Sequence, residues 1–166
     1  MKKQDYLDLL VGVFGQPVAE NPGVVIQDAA FAALGLERWR SSPLDVDKDQ
    51  LENAINGLKA FKMRGINCTI PHKIAVMQYL DEISESAQLI GAVNTIVNRG
   101  GELWGYNTDF AGMETLLRSN RIALSGRKVL ILGSGGTCKT ARAVAKDLGA
   151  KEILIASRHP SDGQIS

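Results

Sequence analysis

One stretch limits this chain more than any other. Arg127-Lys-Val-Leu-Ile-Leu-Gly133 runs directly into Ser134-Gly-Gly136, and a helical pattern follows from Thr137 to Leu148. A second apolar run, Glu152-Ile-Leu-Ile-Ala156, comes next. Strand, glycine-rich turn, helix and strand in that order predict the opening βαβ unit of a Rossmann-type dinucleotide-binding domain. The physical requirement is close approach of backbone to pyrophosphate. Gly133 permits the tight turn, Gly135 leaves room for the phosphates, and the amides of Gly136 and Thr137 at the helix start face the negative charge. Cys138 holds the position where a third small residue is usual.

The end of the second strand distinguishes the two nicotinamide dinucleotides. An acidic residue there would bind the ribose 2′-hydroxyl and repel a 2′-phosphate. Ser157-Arg158-His159 stands there instead. A guanidinium pairs with phosphate through two parallel hydrogen bonds, so Arg158 favours NADP over NAD. Ser134 and Ser157 complete the predicted cofactor lining. Two strands make only the start of such a fold, whose sheet usually has about six. The chain is therefore expected to be the N-terminal part of a longer protein, with little or no turnover by itself.

A separate block precedes this unit, and the division is expected near residue 110. Leu9 to Phe14 reads as a buried strand ending at the turn Gly15-Gln-Pro17. Helical spacing is expected from Asp28 to Leu34, stopped by Gly35. Asp47-Lys-Asp-Gln50 has the form of a capping box before the apolar stripe Leu51, Ala54, Ile55 and Leu58, with Gly65 as the stop. Ile66 to Ile70 predicts a strand ended by Pro71, and Lys73 to Ile83 a helix. Ala92–Val97 and Leu103–Tyr106 flank Asn98-Arg-Gly-Gly101, a hairpin signal. Gly112 to Ser119 predicts the helix that joins the blocks. The fold class is α/β: a substrate domain with a mainly parallel sheet over 1–110, then a partial dinucleotide-binding domain over 111–166.

Composition excludes several functions. A formal net charge of +1 without a basic block or acidic tail gives no footprint for nucleic acid or an anionic membrane. No apolar run approaches the roughly 18 residues of a membrane span. The N-terminus is a poor secretion signal because Asp5 and Asp8 interrupt it. The expected location is the cytoplasm. Cys68 and Cys138 lack metal spacing and His72 and His159 are the only histidines, so no metal site is expected.

Asn67-Cys-Thr-Ile-Pro-His-Lys73, Gly91-Ala-Val-Asn-Thr95 and Gly105-Tyr-Asn-Thr-Asp109 occur in that order before the glycine-rich turn. Together with Gly133–Gly136, Ser157 and Arg158 they resemble the shikimate dehydrogenase family, from Gly15 to Arg158. The resemblance implies NADP-dependent reduction of 3-dehydroshikimate to shikimate, or of a related cyclic hydroxy-ketone acid. It implies Lys73 and Asp109 as the catalytic pair, Thr69 and Asn94 as ligands of the substrate hydroxyls, and a monomer or homodimer. The chemistry suits these residue types. Hydride delivery to a ketone leaves an alkoxide, which an ammonium stabilises and protonates, while a carboxylate orients that ammonium. The bland readings are a surface lysine for Lys73 and a helix N-cap for Asp109.

The chain departs from the family at one place. A Ser-x-Ser-Pro segment that binds the substrate carboxylate is replaced by Asn21-Pro-Gly-Val24, with Glu20 before it and Gln27 after it. Asn21 retains an amide donor, Gly23 retains only backbone, and a glutamate there repels an anion. The reaction type is thus expected to carry over further than the substrate. The alternative is a small-molecule-binding module of the same fold that has lost turnover.

Overall fold

The computed structural model describes residues 7–158; His159 and Met1–Tyr6 lie outside them. The chain divides into two compact units, Met1–Ser84 with Val93–Tyr106, and Glu85–Ala92 with Asn107–Ser166. The first unit thus includes the hairpin before Tyr106, and the short segment Glu85–Ala92 belongs with the second.

In the first unit, β1 (Leu9–Gly15) is followed by α1 (Gly23–Ala33), β2 (Trp39–Asp45) and α2 (Leu51–Ala60). Then come β3 (Gly65–Cys68), β4 (Glu82–Ile83), β5 (Thr95–Arg99) and β6 (Glu102–Tyr106). The strands form one sheet in the order β2-β1-β3-β5-β6-β4. β1 pairs in parallel with β2 and β3, and β4 in parallel with β6; the two pairings of β5 are antiparallel. The core lies among Val13, Phe14, Ile66, Ile96 and Leu103 of the sheet and Leu51, Ile55 and Leu58 of α2. Each such side chain contributes about 1.5–3 kcal/mol on leaving water.

α1 begins at Gly23 rather than Asp28. Pro22 has no N–H to lose and suits a helix start, and its carbonyl accepts Ile26 N, so the β-branched run Val24–Ile26 is drawn into the helix. α2 ends at Ala60, where Lys62 turns with φ 52°, rather than at Gly65. Gly65 instead opens β3, because a Cβ there would lie 2.4 Å from the Ile96 carbonyl oxygen. Neither Asp47 nor Gln50 caps α2 by its side chain; Asp47 accepts a hydrogen bond from the Gln16 amide instead. No α-helix forms over Lys73–Ile83. The Lys73 carbonyl is taken by Val93 N at 2.7 Å, leaving a single 3-10 segment, Ala75–Tyr79. Asp81 N and Ser84 N then bond to Leu103 and Gly105, which makes Glu82–Ile83 the edge strand β4. Sequence reading missed β2, whose Trp-Arg-Ser-Ser-Pro-Leu-Asp order lacks alternation. Its position at the sheet edge tolerates Pro43.

In the second unit, α3 (Glu85–Ile90), α4 (Asp109–Ser119), β7 (Lys128–Leu132), α5 (Gly136–Asp147) and β8 (Glu152–Ala156) follow in order. β7 and β8 pair in parallel, with Lys128 and Glu152 in an ion pair of 2.7 Å. Val144 and Ala145 of α5 are buried, and α4 and α3 pack beside it. Leu130, Leu132 and Leu154 share the opposite, exposed face. The helix joining the sequence blocks starts at Asp109, three residues earlier than expected.

Candidate active site

The first cluster lies at the carboxyl ends of the parallel strands β1 and β3. Beyond β1, Gln16 N bonds to the Ile70 carbonyl at 2.9 Å; beyond β3, Thr69 N bonds to the Phe14 carbonyl at 2.8 Å. These crossed bonds lock the two strand ends together, and the Gln16–Pro17 and Ile70–Pro71 peptides there are both cis. Thr69 is half-buried beside Gly15 and Val18. Lys73 follows His72, whose buried ring donates Nε2–H to the Val46 carbonyl at 2.7 Å. This bond fixes the turn that carries Lys73. Asn94, buried, precedes β5; its carbonyl accepts Cys68 N at 2.8 Å, and its side-chain oxygen accepts the Thr95 hydroxyl at 2.9 Å. Burial pushes the Cys68 thiol up to about 12, and the nearby Lys73 charge draws it partly back. Asn21 stands before α1 with its side-chain oxygen bonded to Gly23 N at 2.8 Å.

A polar ladder that sequence reading did not assemble supports this cluster. Ser41 of β2 donates to Gln27 of α1, and Gln27 Nε2 donates to Asn67 Oδ1 at 2.6 Å. Asn67 Nδ2 in turn donates to Thr95 Oγ1 at 3.1 Å and reaches the Asn94 carbonyl at 3.4 Å. The signal was partial: Asn67 opened a recognised segment and Gln27 was noted as unusual, but neither pointed to the other.

The second cluster lies in the second unit. Gly133 has φ 107°, a conformation open to glycine and costly for other residues, and its N–H bonds to the Ala156 carbonyl at 2.7 Å. A Cβ at Gly133 or Gly135 would meet no atom within 4 Å, so the space over the loop is open. Leu132–Gly135 and Ala156–Arg158 line a cleft of 630 Å³ there. Ser134 and Ser157 are bonded hydroxyl to hydroxyl at 2.9 Å across it, and exposed Arg158 stands at its lip. Gly136 begins α5, so its amide and that of Thr137 are among the unpaired donors of that helix end. Open space, free amides and a guanidinium fit a dinucleotide with a 2′-phosphate. Asp109 occupies the first turn of α4, and Thr108, not Asp109, is the N-cap residue. The side-chain oxygen of buried Asn107 accepts Asp109 N at 3.0 Å, and its Nδ2 holds the Ala92 carbonyl at 2.9 Å. Asn107 thus fixes the backbone at the start of α4, a contact the motif contained without disclosing it. Thr69, Lys73 and Asn94 come together in the first unit; Asp109 and the Gly133 loop belong to the second.

A family model described as the shikimate dehydrogenase substrate binding domain matches residues 13–96, half of the chain. The chain belongs to the shikimate dehydrogenase family. It is 47% identical over 140 residues to a relative from Symbiobacterium thermophilum named "Shikimate dehydrogenase (NADP(+))", covering 84% of this chain and 46% of the relative. The fold matches shikimate dehydrogenase 1 from Peptoclostridium difficile with TM-score 0.90 at 30% identity, covering 95% of this chain and 58% of that one. It also matches the 5-ketofructose reductase of Gluconobacter sp. strain CHM43 with TM-score 0.78 at 39% identity, covering 92% of this chain and 54% of that one. The chain thus spans about half the length of the family members it matches. As in those α/β folds, a mainly parallel sheet precedes the start of a Rossmann unit. No helix among the described residues is long and apolar enough to cross a membrane.

Proposed function

We propose that this chain carries the substrate-binding part, about residues 1–110, and the start of the nucleotide-binding part, 111–166, of an NADP-dependent dehydrogenase. Its reaction interconverts a hydroxyl and a ketone on a polyhydroxylated small molecule, with 3-dehydroshikimate to shikimate as the reference reaction. The observation that carries this reading is the convergence of Thr69, Lys73 and Asn94 on the carboxyl ends of β1 and β3.

NADPH, bound at the Gly133 loop, would supply the hydride that the carbonyl carbon receives. Lys73 gives its Nζ proton to the ketone oxygen, so the substrate gains two electrons and two hydrogens, and Lys73 recovers its proton from water. Asp109 is the carboxylate partner of that ammonium. Its place in the first turn of α4, fixed by Asn107, limits its motion. Thr69 and Asn94 hold neighbouring hydroxyls, and Asn21 offers amide donors. Gly133, Ser134, Gly135, Gly136 and Thr137 would cradle the pyrophosphate, and Arg158, beside Ser157, would hold the 2′-phosphate. The names of the relatives cover both shikimate and 5-ketofructose chemistry. Reduction of a hydroxy-ketone is common to both.

The test is loss of NADPH absorbance by the full-length protein with 3-dehydroshikimate and with 5-ketofructose. Turnover with at least one, and a preference for NADPH over NADH that Arg158→Glu abolishes, is the expected result. No turnover with either substrate would contradict the proposal.

A further inference from the structure

We infer that Asn107 is a positioning residue of the reductase: its side-chain amide ties the backbone of Asp109 to the peptide group that also holds Lys73. This rests on the dehydrogenase reading above, in which Lys73 and Asp109 are the proton-transferring pair. Asn107 is 8% exposed and stands between the end of β6 and the start of α4. Its Oδ1 accepts Asp109 N at 3.0 Å, and its Nδ2 donates to the Ala92 carbonyl at 2.9 Å. A helix usually begins on an extended N-cap residue whose side chain takes one of the first amides. Thr108 has φ −95° and ψ −9° and makes no such bond. The start of α4, and Asp109 with it, is therefore held from Asn107.

The Ala92 carbonyl is one half of a peptide group whose other half is the Val93 N–H, and Val93 N donates to the Lys73 carbonyl at 2.7 Å. The Ala92–Val93 peptide thus accepts from Asn107 on one side and donates to Lys73 on the other. A peptide group is planar and stiff, and both residues are buried, at 1% and 0% exposed. The backbones of Lys73 and Asp109 are in this way each tied to one rigid group, Lys73 directly and Asp109 through Asn107. Misplacing reacting groups by about 1 Å can cost about 10²-fold in rate. An amide serves both bonds at once, whereas an ionised carboxylate has no donor and a hydroxyl is too short to reach both partners. Asn94 is anchored by bonds of its own. Its N–H donates to the Tyr106 carbonyl at 3.0 Å, and its carbonyl accepts Cys68 N at 2.8 Å. A change at Asn107 therefore acts on the proton-transferring pair and leaves Asn94 in place.

The experiment is a kinetic double-mutant cycle in the full-length protein, with NADPH and with 3-dehydroshikimate and 5-ketofructose as the ketones. Asn107→Ala should lower kcat about tenfold or more, while KM for the ketone and Kd for NADPH each change by less than about threefold. In the Asp109→Asn background the same substitution should lower kcat by less than about twofold, because the group it positions is already gone. Asn107→Asp keeps the size of the side chain and the acceptor for Asp109 N but loses the donor to Ala92. It should show the same pattern, and it carries the cycle if the alanine variant does not fold. A kcat within about twofold of the unmodified protein in the variant that folds overturns the inference, as does a loss that falls on KM for the ketone or multiplies undiminished onto Asp109→Asn. Each of these leaves the dehydrogenase reading standing. If Asp109→Asn itself keeps full kcat, the role of Asp109 in that reading falls and the inference with it.

Discussion

The contact between Gln27 and Asn67 is the support of the candidate site most open to measurement. It is a half-buried bond of 2.6 Å joining α1 to β3. Asn67→Ala removes that bond and those to Thr95 and the Asn94 carbonyl. At a net 0.5–1.5 kcal/mol each, with some penalty for the groups left unpaired, the loss is about 2–4 kcal/mol. Gln27→Ala breaks the bonds to Asn67 and Ser41 and costs about 1–2.5 kcal/mol on the same scale. Because one bond is counted in both variants, the double variant should be less destabilised than the sum, by about 1 kcal/mol. Equilibrium urea unfolding of the four proteins gives the coupling directly. Asn67→Ala should also raise KM for the ketone more than it lowers kcat, since it loosens Asn94 and Thr95 while leaving Lys73 in place. Additivity within about 0.3 kcal/mol, with KM unchanged, would show that the ladder is incidental and refute this reasoning.

Two further outcomes follow from buried groups. Thr140 is 1% exposed and its hydroxyl has no hydrogen-bond partner among the described residues, so Thr140→Val should stabilise the protein by about 1 kcal/mol in the same unfolding assay. The Cys68 thiol, raised from its ordinary 9.0 to about 12, should react with iodoacetamide about a thousandfold more slowly at pH 8 than an exposed thiol of ordinary acidity. The same shift has a stability consequence. The unfolded thiol ionises first, so the contribution of Cys68 is complete below pH 9.0 and is lost as pH rises toward about 12; Cys68→Ala should lessen that alkaline loss in pH-dependent unfolding.

Local sequence disclosed what local forces decide. The Gly133–Gly136 turn and its two strands were legible because a close phosphate approach needs glycine at fixed offsets. The hairpin around Asn98–Gly101 was legible because two adjacent glycines take positive φ, 68° and 108°. Leu51, Ile55 and Leu58 were legible as a helical stripe. What stayed hidden was set by distant partners. Val93 N captures the Lys73 carbonyl and dissolves an expected helix, and β2 is a strand only because the edge of β1 is available to pair with it. The candidate site was legible only as motifs: Thr69, Lys73 and Asn94 were named from segments far apart in sequence, and the fold brings their backbones to the same end of the sheet. The Gln27–Asn67–Thr95 ladder was not, because no spacing rule links an α1 side chain to two separate strands.

The central claim is that Lys73 and Asp109 act together as the proton-transferring pair of a reductase. Its most direct test is kcat of the full-length protein at saturating ketone and NADPH for Lys73→Ala, Asp109→Asn and the two combined, with nucleotide binding followed by NADPH fluorescence. The account predicts that each single change lowers kcat by about 10²-fold or more, that the double variant is little worse than either alone, and that NADPH binding is retained. A kcat within about tenfold of the unmodified protein for Lys73→Ala, or losses that multiply independently, would contradict it.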